Sequence, residues 1–366
     1  MKRFAGTLSI VCLLTASFCG YSQRPDLLHV PGTDKSIKNT KTWNKKRVKI
    51  LKGMQKAMGD LPRMDGLPDF DSEIKDSLRT NYYTRFTILF TVAQDEKVPV
   101  YLYIPAKADK NKGIPAMLVL HGTGEKGKQL VDGESALPNR ALGKELAERG
   151  YVVIAPDYPG MGELKDYDFK NDRYQSGTMK AIFNHMRCID FLETLPEVDA
   201  NRIGVIGHSL GGHNAMFAGA FDQRLKVVVS SCGWTLLDYY NIGEEGSKKY
   251  GGRLGPWAQE QYMPLLRDEY QLDVNKIPFD FDEVIAALAP RHFFSNSPVS
   301  DGNFDVEGVK KGIASAARVY RLFNAESNLQ VHNPDAGHDF PVEVRKLAYQ
   351  FIDRVLQHSP NHHIVK

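Results

Sequence analysis

The sequence predicts an α/β fold: a mostly parallel sheet with helices on both faces, an antiparallel hairpin leading in, and a cap insertion. Three observations carry this expectation. From "AMLVLH" onward, short continuous apolar runs alternate with stretches of helical period, the pattern of βαβ units around a sheet buried on both faces. Ahead of them, "YYTRFTILFTV" and "KVPVYLYIP" alternate in polarity and flank "AQDE", a hairpin signal. Between Gly233 and Ala289 the alternation stops for more than fifty residues rich in tyrosine and tryptophan.

The elements follow in order. "AMLVLH" and "YVVIAPDYPG" are buried strands, separated by the amphipathic "NRALGKELAERG", whose Gly150 is a helix-ending residue. "GTMKAIFNHMRCIDFLETL" has apolar residues at spacings of three and four, so it is a long helix. "RIGVIG" is a strand, "GGHNAMFAGAF" a helix, and "LKVVVSSCG" a strand. The cap, about residues 234–288, closes with the helical "FDEVIAALAP", stopped by Pro290. An insertion there sits near the carboxyl ends of the strands, where open α/β sheets bind ligands. "RHFFSNS" and "LQVHN" are the last strands, with the helical "VEGVKKGIASAARVYRLF" between them and "PVEVRKLAYQFIDRVLQH" after them.

Residues 1–22 read as a signal peptide: Lys2 and Arg3 precede an apolar run too short for a comfortable membrane span, and Gly20 and Ser22 suit cleavage before Gln23. A lipoprotein cut before Cys19 is the alternative, opposed by the bulk of Phe18. The expected localisation is secreted or periplasmic, with no membrane segment after cleavage. Residues 23–80 read as an N-terminal wrap with one helical stretch, residues 81–358 as the main domain, and residues 359–366 as a polar tail.

With 47 basic and 44 acidic residues among 366, the formal charge of +3 gives no reason to expect nucleic acid as a partner. Apolar residues at 42% allow a sizeable core. After cleavage only Cys188 and Cys232 remain, too few for a disulfide framework, and both read as small buried hydrophobes.

Two glycine loops compete for the chemistry. "GTGEKGKQ" fits G-x-G-x-x-G and nearly fits the phosphate loop of nucleotide triphosphatases. Gln129 stands where that loop needs a hydroxyl, and "QLVDGESALPN" reads as loop where a helix N-terminus is required, so no nucleotide cofactor is expected. "GHSLG" fits G-x-S-x-G between a strand and a helix, the context that makes the serine of this motif a nucleophile. Gly207 and Gly211 remove bulk around Ser209.

A serine hydroxyl needs a base. His338, in the loop "NPDAGHDFP" after the last strand, falls at the carboxyl edge of the sheet; His332, at the strand end, is the runner-up. His208 and His213 read as structural. The acid belongs between serine and histidine in chain order, which points to Asp301 in "SPVSD", with Asp305 as the alternative. Leu210, following the nucleophile, supplies one oxyanion N–H, and Thr123 or Gly124 the other. Trp234 and Trp257 are the expected substrate-contacting aromatics of the cap. No metal is expected, since no ligand spacing joins the histidines to carboxylates.

"HGTG", "APDYPGMGE", "IGHSLGG", "APRHFFSNSPVSDGNFD" and "DAGHDFP" together resemble the α/β-hydrolase superfamily, from about Tyr82 to the C-terminus. Within it the chain is similar to the secreted dienelactone-hydrolase-like and acetyl-xylan-esterase-like branch. The resemblance implies a serine hydrolase acting on esters, some of them on plant or algal polysaccharide. Dienelactone hydrolases use a cysteine nucleophile; Ser209 stands here instead. The expected activity is an exported serine esterase forming an acyl-enzyme on a small-molecule or polysaccharide ester. A prolyl-oligopeptidase-type peptidase and an inactive binding protein on the same fold are the alternatives. Residues 23–78 are too few for the propeller such peptidases carry.

Overall fold

The computed structural model describes residues 26–361 apart from 31–32, 34 and 109–112. The signal peptide read at 1–22, with its cleavage site, and the end of the polar tail lie outside the described residues.

One nine-stranded sheet runs through the molecule in the order β1-β2-β3-β5-β4-β6-β7-β8-β9. The strands are β1 Glu73–Arg79, β2 Tyr83–Ala93, β3 Glu96–Pro105, β4 Ile114–Leu120, β5 Val152–Pro156, β6 Val198–His208, β7 Leu225–Ser231, β8 His292–Asn296 and β9 Leu329–His332. β2 and β3 form the expected hairpin, turning through Gln94 and Asp95, the latter at φ +59°. β3 meets β5 antiparallel, and from β5 through β9 the pairing is parallel.

The helices are α1 Thr40–Met58, α2 Leu142–Glu148, α3 Gly177–Glu193, α4 Leu210–Phe221, α5 Gly243–Lys249, α6 Leu265–Asp268, α7 Phe281–Leu288, α8 Val306–Leu322 and α9 Val342–Val355. β4 shows why both faces are covered. Its Ala116, Leu118 and Leu120 join the apolar cluster with α1, α3, α4, α7 and α8, while Met117 and Val119 join the cluster with α2 and α9. A strand with apolar residues at every position has no face it can leave in water. Local signals agree with the packing: Ser176 caps α3 by accepting from the Met179 N–H, and Asp280 with Glu283 forms a capping box on α7.

The stretch read as an N-terminal wrap is more than that. It contributes β1, paired antiparallel with β2, and α1, whose Trp43 and Met54 are fully buried. β1 is exposed along its whole length, so its sequence "EIKDSLR" lacks the apolar alternation that marks a strand. Residues 233–289 fold as short helical turns around α5, α6 and α7.

Strand order positions the site. β5 lies on one side of β4 and β6 on the other, so the chain reverses its direction of travel across the sheet between them. The loop after β4 and the turn after β6 therefore open side by side at the carboxyl end of the sheet, at a topological switch point.

Candidate active site

Ser209 sits between β6 and α4 at φ +56° and ψ −119°, a backbone region that a non-glycine residue occupies only when its surroundings impose it. The surroundings are backbone. A Cβ added to Gly207 would lie 2.1 Å from the Gly211 carbonyl oxygen, and one added to Gly211 would lie 2.0 Å from the Leu120 carbonyl oxygen. The Ser209 N–H donates to the Ser231 carbonyl at 2.8 Å, tying the turn to β7.

The Ser209 hydroxyl lies 2.9 Å from His338 Nε2. His338 Nδ1 lies 2.9 Å from Asp301 Oδ2 and 3.1 Å from Oδ1. A carboxylate there only accepts, so Nδ1 carries the proton and Nε2 is free to accept from Ser209. Asp301 is itself oriented, since Oδ1 accepts from the Asn303 and Phe304 N–H groups at 2.9 and 3.3 Å, and its side chain is 1% exposed. The alternatives fall elsewhere. Asp305 caps α8 by accepting from the Glu307 N–H, and the His332 ring stacks on Phe294.

The His338 loop is held by groups that sequence spacing does not reveal. Arg140 donates to the His338 carbonyl at 3.0 Å and to Asp339 Oδ1 at 2.6 Å; Asn139 donates to Asp339 Oδ2. Burial pushes the Asp339 carboxyl upward, but the bonds from Arg140 and Asn139 outweigh it and hold its pKa below the usual value. Asn296 and the Cys232 thiol both donate to the Asp339 carbonyl. Cys232 lies close to Asp301 and His338, but burial pushes its thiol well up, and it stays neutral. Cys188 and Cys232 are both free and buried, as their sequence contexts predict.

The "GTGEKGKQ" loop is pinned rather than loose. A single 3-10 turn, Gly127–Asp132, follows it. The Lys128 ammonium, 2% exposed, donates to Asp157 at 2.6 Å and also to Glu163, so it is not presented to a phosphate. His121 bridges the loop to the end of β5, with Nδ1 on the Gly122 carbonyl at 2.7 Å and Nε2 accepting the Tyr158 N–H at 3.0 Å. Thr123 thus faces Ser209 across the switch point. Neither the Thr123 nor the Leu210 N–H is engaged by another described residue. Two backbone donors without partners beside a hydroxyl form the arrangement an oxyanion requires.

A cavity of about 290 Å³ opens on the cap side of Ser209, lined by Tyr240, Tyr250, Trp257, Gln259, Tyr262 and Asn303 among others. The Tyr262 hydroxyl lies 3.1 Å from Thr123 Oγ1. Trp257 reaches this cavity although most of its ring is packed. Trp234 does not line it: its indole N–H donates to Ser295 Oγ at 2.9 Å inside the core, and it is 1% exposed, so it supports the sheet rather than touching substrate. His213, read from sequence as structural, is buried with its ring against Phe217 and Trp257, at 5.7 and 4.7 Å, and it also lines this cavity.

The architecture is shared with known structures. A glucuronoyl esterase from Solibacter usitatus superposes with a TM-score of 0.69 at 21% identity, over 90% of this chain and 97% of that one. This chain has the α/β-hydrolase fold. The family model described as "Glucuronyl esterase, fungi" matches residues 161–324 of the chain. It is 26% identical to YtaP, named a hydrolase, of Bacillus subtilis, over 85% of this chain and the whole of that protein. It is 31% identical to the 4-O-methyl-glucuronoyl methylesterase of Hypocrea jecorina, over 39% of this chain and 32% of that protein. Among the described residues, no helix is long and apolar enough to cross a membrane.

Three more histidines bear on the acid stability of the protein. Burial pushes the pKa of His185 and of His213 down to about 3, and burial with the nearby charges of Arg140 and His338 holds His208 well below its ordinary value. The folded chain keeps all three neutral while the unfolded chain takes up protons below about pH 6.5. Stability is therefore complete above that pH and falls as pH drops toward 3, by about 1.4 kcal/mol per pH unit for each histidine. A thermal melt series is expected to show Tm falling steeply between about pH 6.5 and 4; an unchanged Tm would refute the buried neutral state.

Proposed function

We propose that the chain is an exported serine esterase acting on a carbohydrate ester, with Ser209 as nucleophile, His338 as base and Asp301 as orienting acid. The hydrogen-bonded series Ser209–His338–Asp301 beside two unengaged N–H groups carries this reading. Ser209 Oγ attacks the ester carbonyl as its proton passes to His338 Nε2. Asp301 stabilises the imidazolium and fixes the tautomer. The N–H groups of Leu210 and Thr123 accommodate the oxyanion. His338 then gives its proton to the departing alcohol, and water, deprotonated by His338, releases the acid from Ser209.

The substrate class rests on two supports. The matched glucuronyl-esterase region, 161–324, spans the turn at Ser209, the cap and Asp301. The cap-side cavity combines the aromatic faces of Trp257, Tyr240 and Tyr250 with the amides of Gln259 and Asn303, a lining suited to a sugar ring bearing hydroxyls. Export rests on the signal-peptide pattern of residues 1–22.

A fluorophosphonate probe followed by peptide mapping tests the chemistry. Stoichiometric labelling of Ser209 is expected, together with hydrolysis of methyl-glucuronate esters in preference to acetylated xylan. Folded protein that resists the probe would sink the esterase reading. Preference for acetylated xylan would redirect the substrate to an acetyl group on the sugar.

A further inference from the structure

α1 carries a charge pattern of one sign that the chemistry at Ser209 does not use. Its 19 residues, TKTWNKKRVKILKGMQKAM, hold seven Lys or Arg and no Asp or Glu. Two of the seven are spent inside. The Lys46 ammonium donates to the Leu27 carbonyl at 2.7 Å, and Arg47 donates to the Ala287 and Ala220 carbonyls at 2.8 and 2.9 Å. The other five, Lys41, Lys45, Lys49, Lys52 and Lys56, are exposed, and none forms an ion pair or side-chain hydrogen bond with another described residue. Their spacings of four, four, three and four residues keep them within about 80° of helix arc and spread them over about 22 Å, close to one charge per turn. Other surface helices mix signs: Lys310 pairs with Glu307 on α8, and Lys346 with Glu343 on α9. Like charges four residues apart destabilise a helix, so the row is a cost that an anionic partner offsets.

We infer that this lysine row is a docking surface for a polysaccharide that carries carboxylates, and that it holds the polymer while Ser209 works on its esters. The inference rests on the carbohydrate-ester reading above and extends it from the cavity to the polymer. Three observations choose this occupant. The row is straight, regularly spaced and of one sign, which complements an extended chain bearing acidic groups at intervals. Its end stands against the cap: the Tyr270 hydroxyl donates to the Lys56 carbonyl at 3.4 Å, and a Cβ added to Gly53 would lie 2.3 Å from the Pro278 carbonyl oxygen. The same cap carries Tyr250, Trp257 and Tyr262 to the cavity at Ser209. Finally, the apolar face of α1 is closed to lipid. Trp43, Ile50, Met54 and Ala57 are buried in the core, and Val48 is the large apolar side chain that α1 leaves exposed. A helix that binds a membrane surface lays its apolar face into the lipid. Hydrolysis also feeds the attraction. Water cleaves the ester of a sugar acid, the alcohol and a proton leave, and a carboxylate stays on the polymer.

The test uses purified full-length protein, as wild type and as a variant combining Lys41→Gln, Lys45→Gln, Lys49→Gln and Lys52→Gln. Glutamine has nearly the helix propensity of lysine and these side chains are exposed, so the fold is expected to hold, which thermal melts check. Kd is measured by calorimetry for ester-free glucuronoxylan, for unsubstituted xylan oligosaccharides and for vesicles containing phosphatidylglycerol. The wild type is expected to bind glucuronoxylan, with Kd at least tenfold weaker in the variant and also in about 1 M salt, where charges are screened within a few ångströms. Unsubstituted xylan should not distinguish the two proteins. kcat on methyl glucuronate should stay unchanged, while KM on an esterified glucuronoxylan rises. Absent binding of glucuronoxylan, or equal binding by both proteins, overturns the inference. Tighter binding of the vesicles than of the glycan overturns it too, and assigns the row to a membrane. Ester-free glycan needs no catalysis, so these outcomes stand apart from the esterase reading, which fails by itself if neither protein hydrolyses methyl glucuronate.

Discussion

Ser209→Ala is expected to lower kcat on any ester substrate by about 10⁴-fold or more, the scale on which removal of a triad nucleophile acts. The geometry makes this a clean experiment. Alanine keeps the Cβ that already occupies the turn at φ +56°, so the strain of the elbow is the same in both proteins. The bond that ties the turn to β7 runs from the Ser209 N–H, not from its side chain, and survives the change. What disappears is the hydroxyl 2.9 Å from His338 Nε2. Tm should therefore move little while kcat collapses and fluorophosphonate labelling is lost. Residual turnover above a tenth of the wild type would place the nucleophile elsewhere.

The parts of the site that were legible in the sequence are those fixed by local sterics or by chain order. Gly207 and Gly211 announce the turn because backbone atoms two ångströms away exclude any side chain. Asp301 and His338 follow from where a strand ends, since a parallel strand delivers its next loop to the carboxyl edge. Other features depend on packing between distant segments. The Arg140–Asp339 contact joins residues 199 apart in sequence. Lys128 looks like a solvated loop lysine until Asp157 and Glu163 close around it. Trp234 and Trp257 have the same composition context, yet one donates into the core and the other reaches the cleft; a side chain's direction in an irregular segment has no period to betray it. β1 was hidden for a different reason, being exposed on both faces and charged, as edge strands often are.

Asp301→Asn is expected to lower kcat by about 10⁴-fold, whereas Asp305→Asn should leave activity near that of the wild type. The two carboxylates are four positions apart on one loop, and each sits in a different network. Asp301 accepts the hydrogen bond of His338 Nδ1–H, with both oxygens within 3.1 Å. In the Asp301→Asn variant one of those atoms becomes an NH₂ donor, which favours the wrong imidazole tautomer and leaves Nε2 protonated, unable to accept from Ser209. The remaining amide oxygen can still accept from the Asn303 and Phe304 N–H groups, so the turn should hold and Tm should change little. Asp305 faces the Glu307 N–H at 2.7 Å as the cap of α8. Asparagine caps a helix about as well as aspartate, so its substitution preserves that bond, while Asp305→Ala should cost about 1 kcal/mol of stability with kcat unchanged. Steady-state kinetics beside thermal melts separate the cases. A kinetic loss in Asp305→Asn with full activity in Asp301→Asn would reverse the assignment and would require the His338 loop to be oriented differently in the working enzyme.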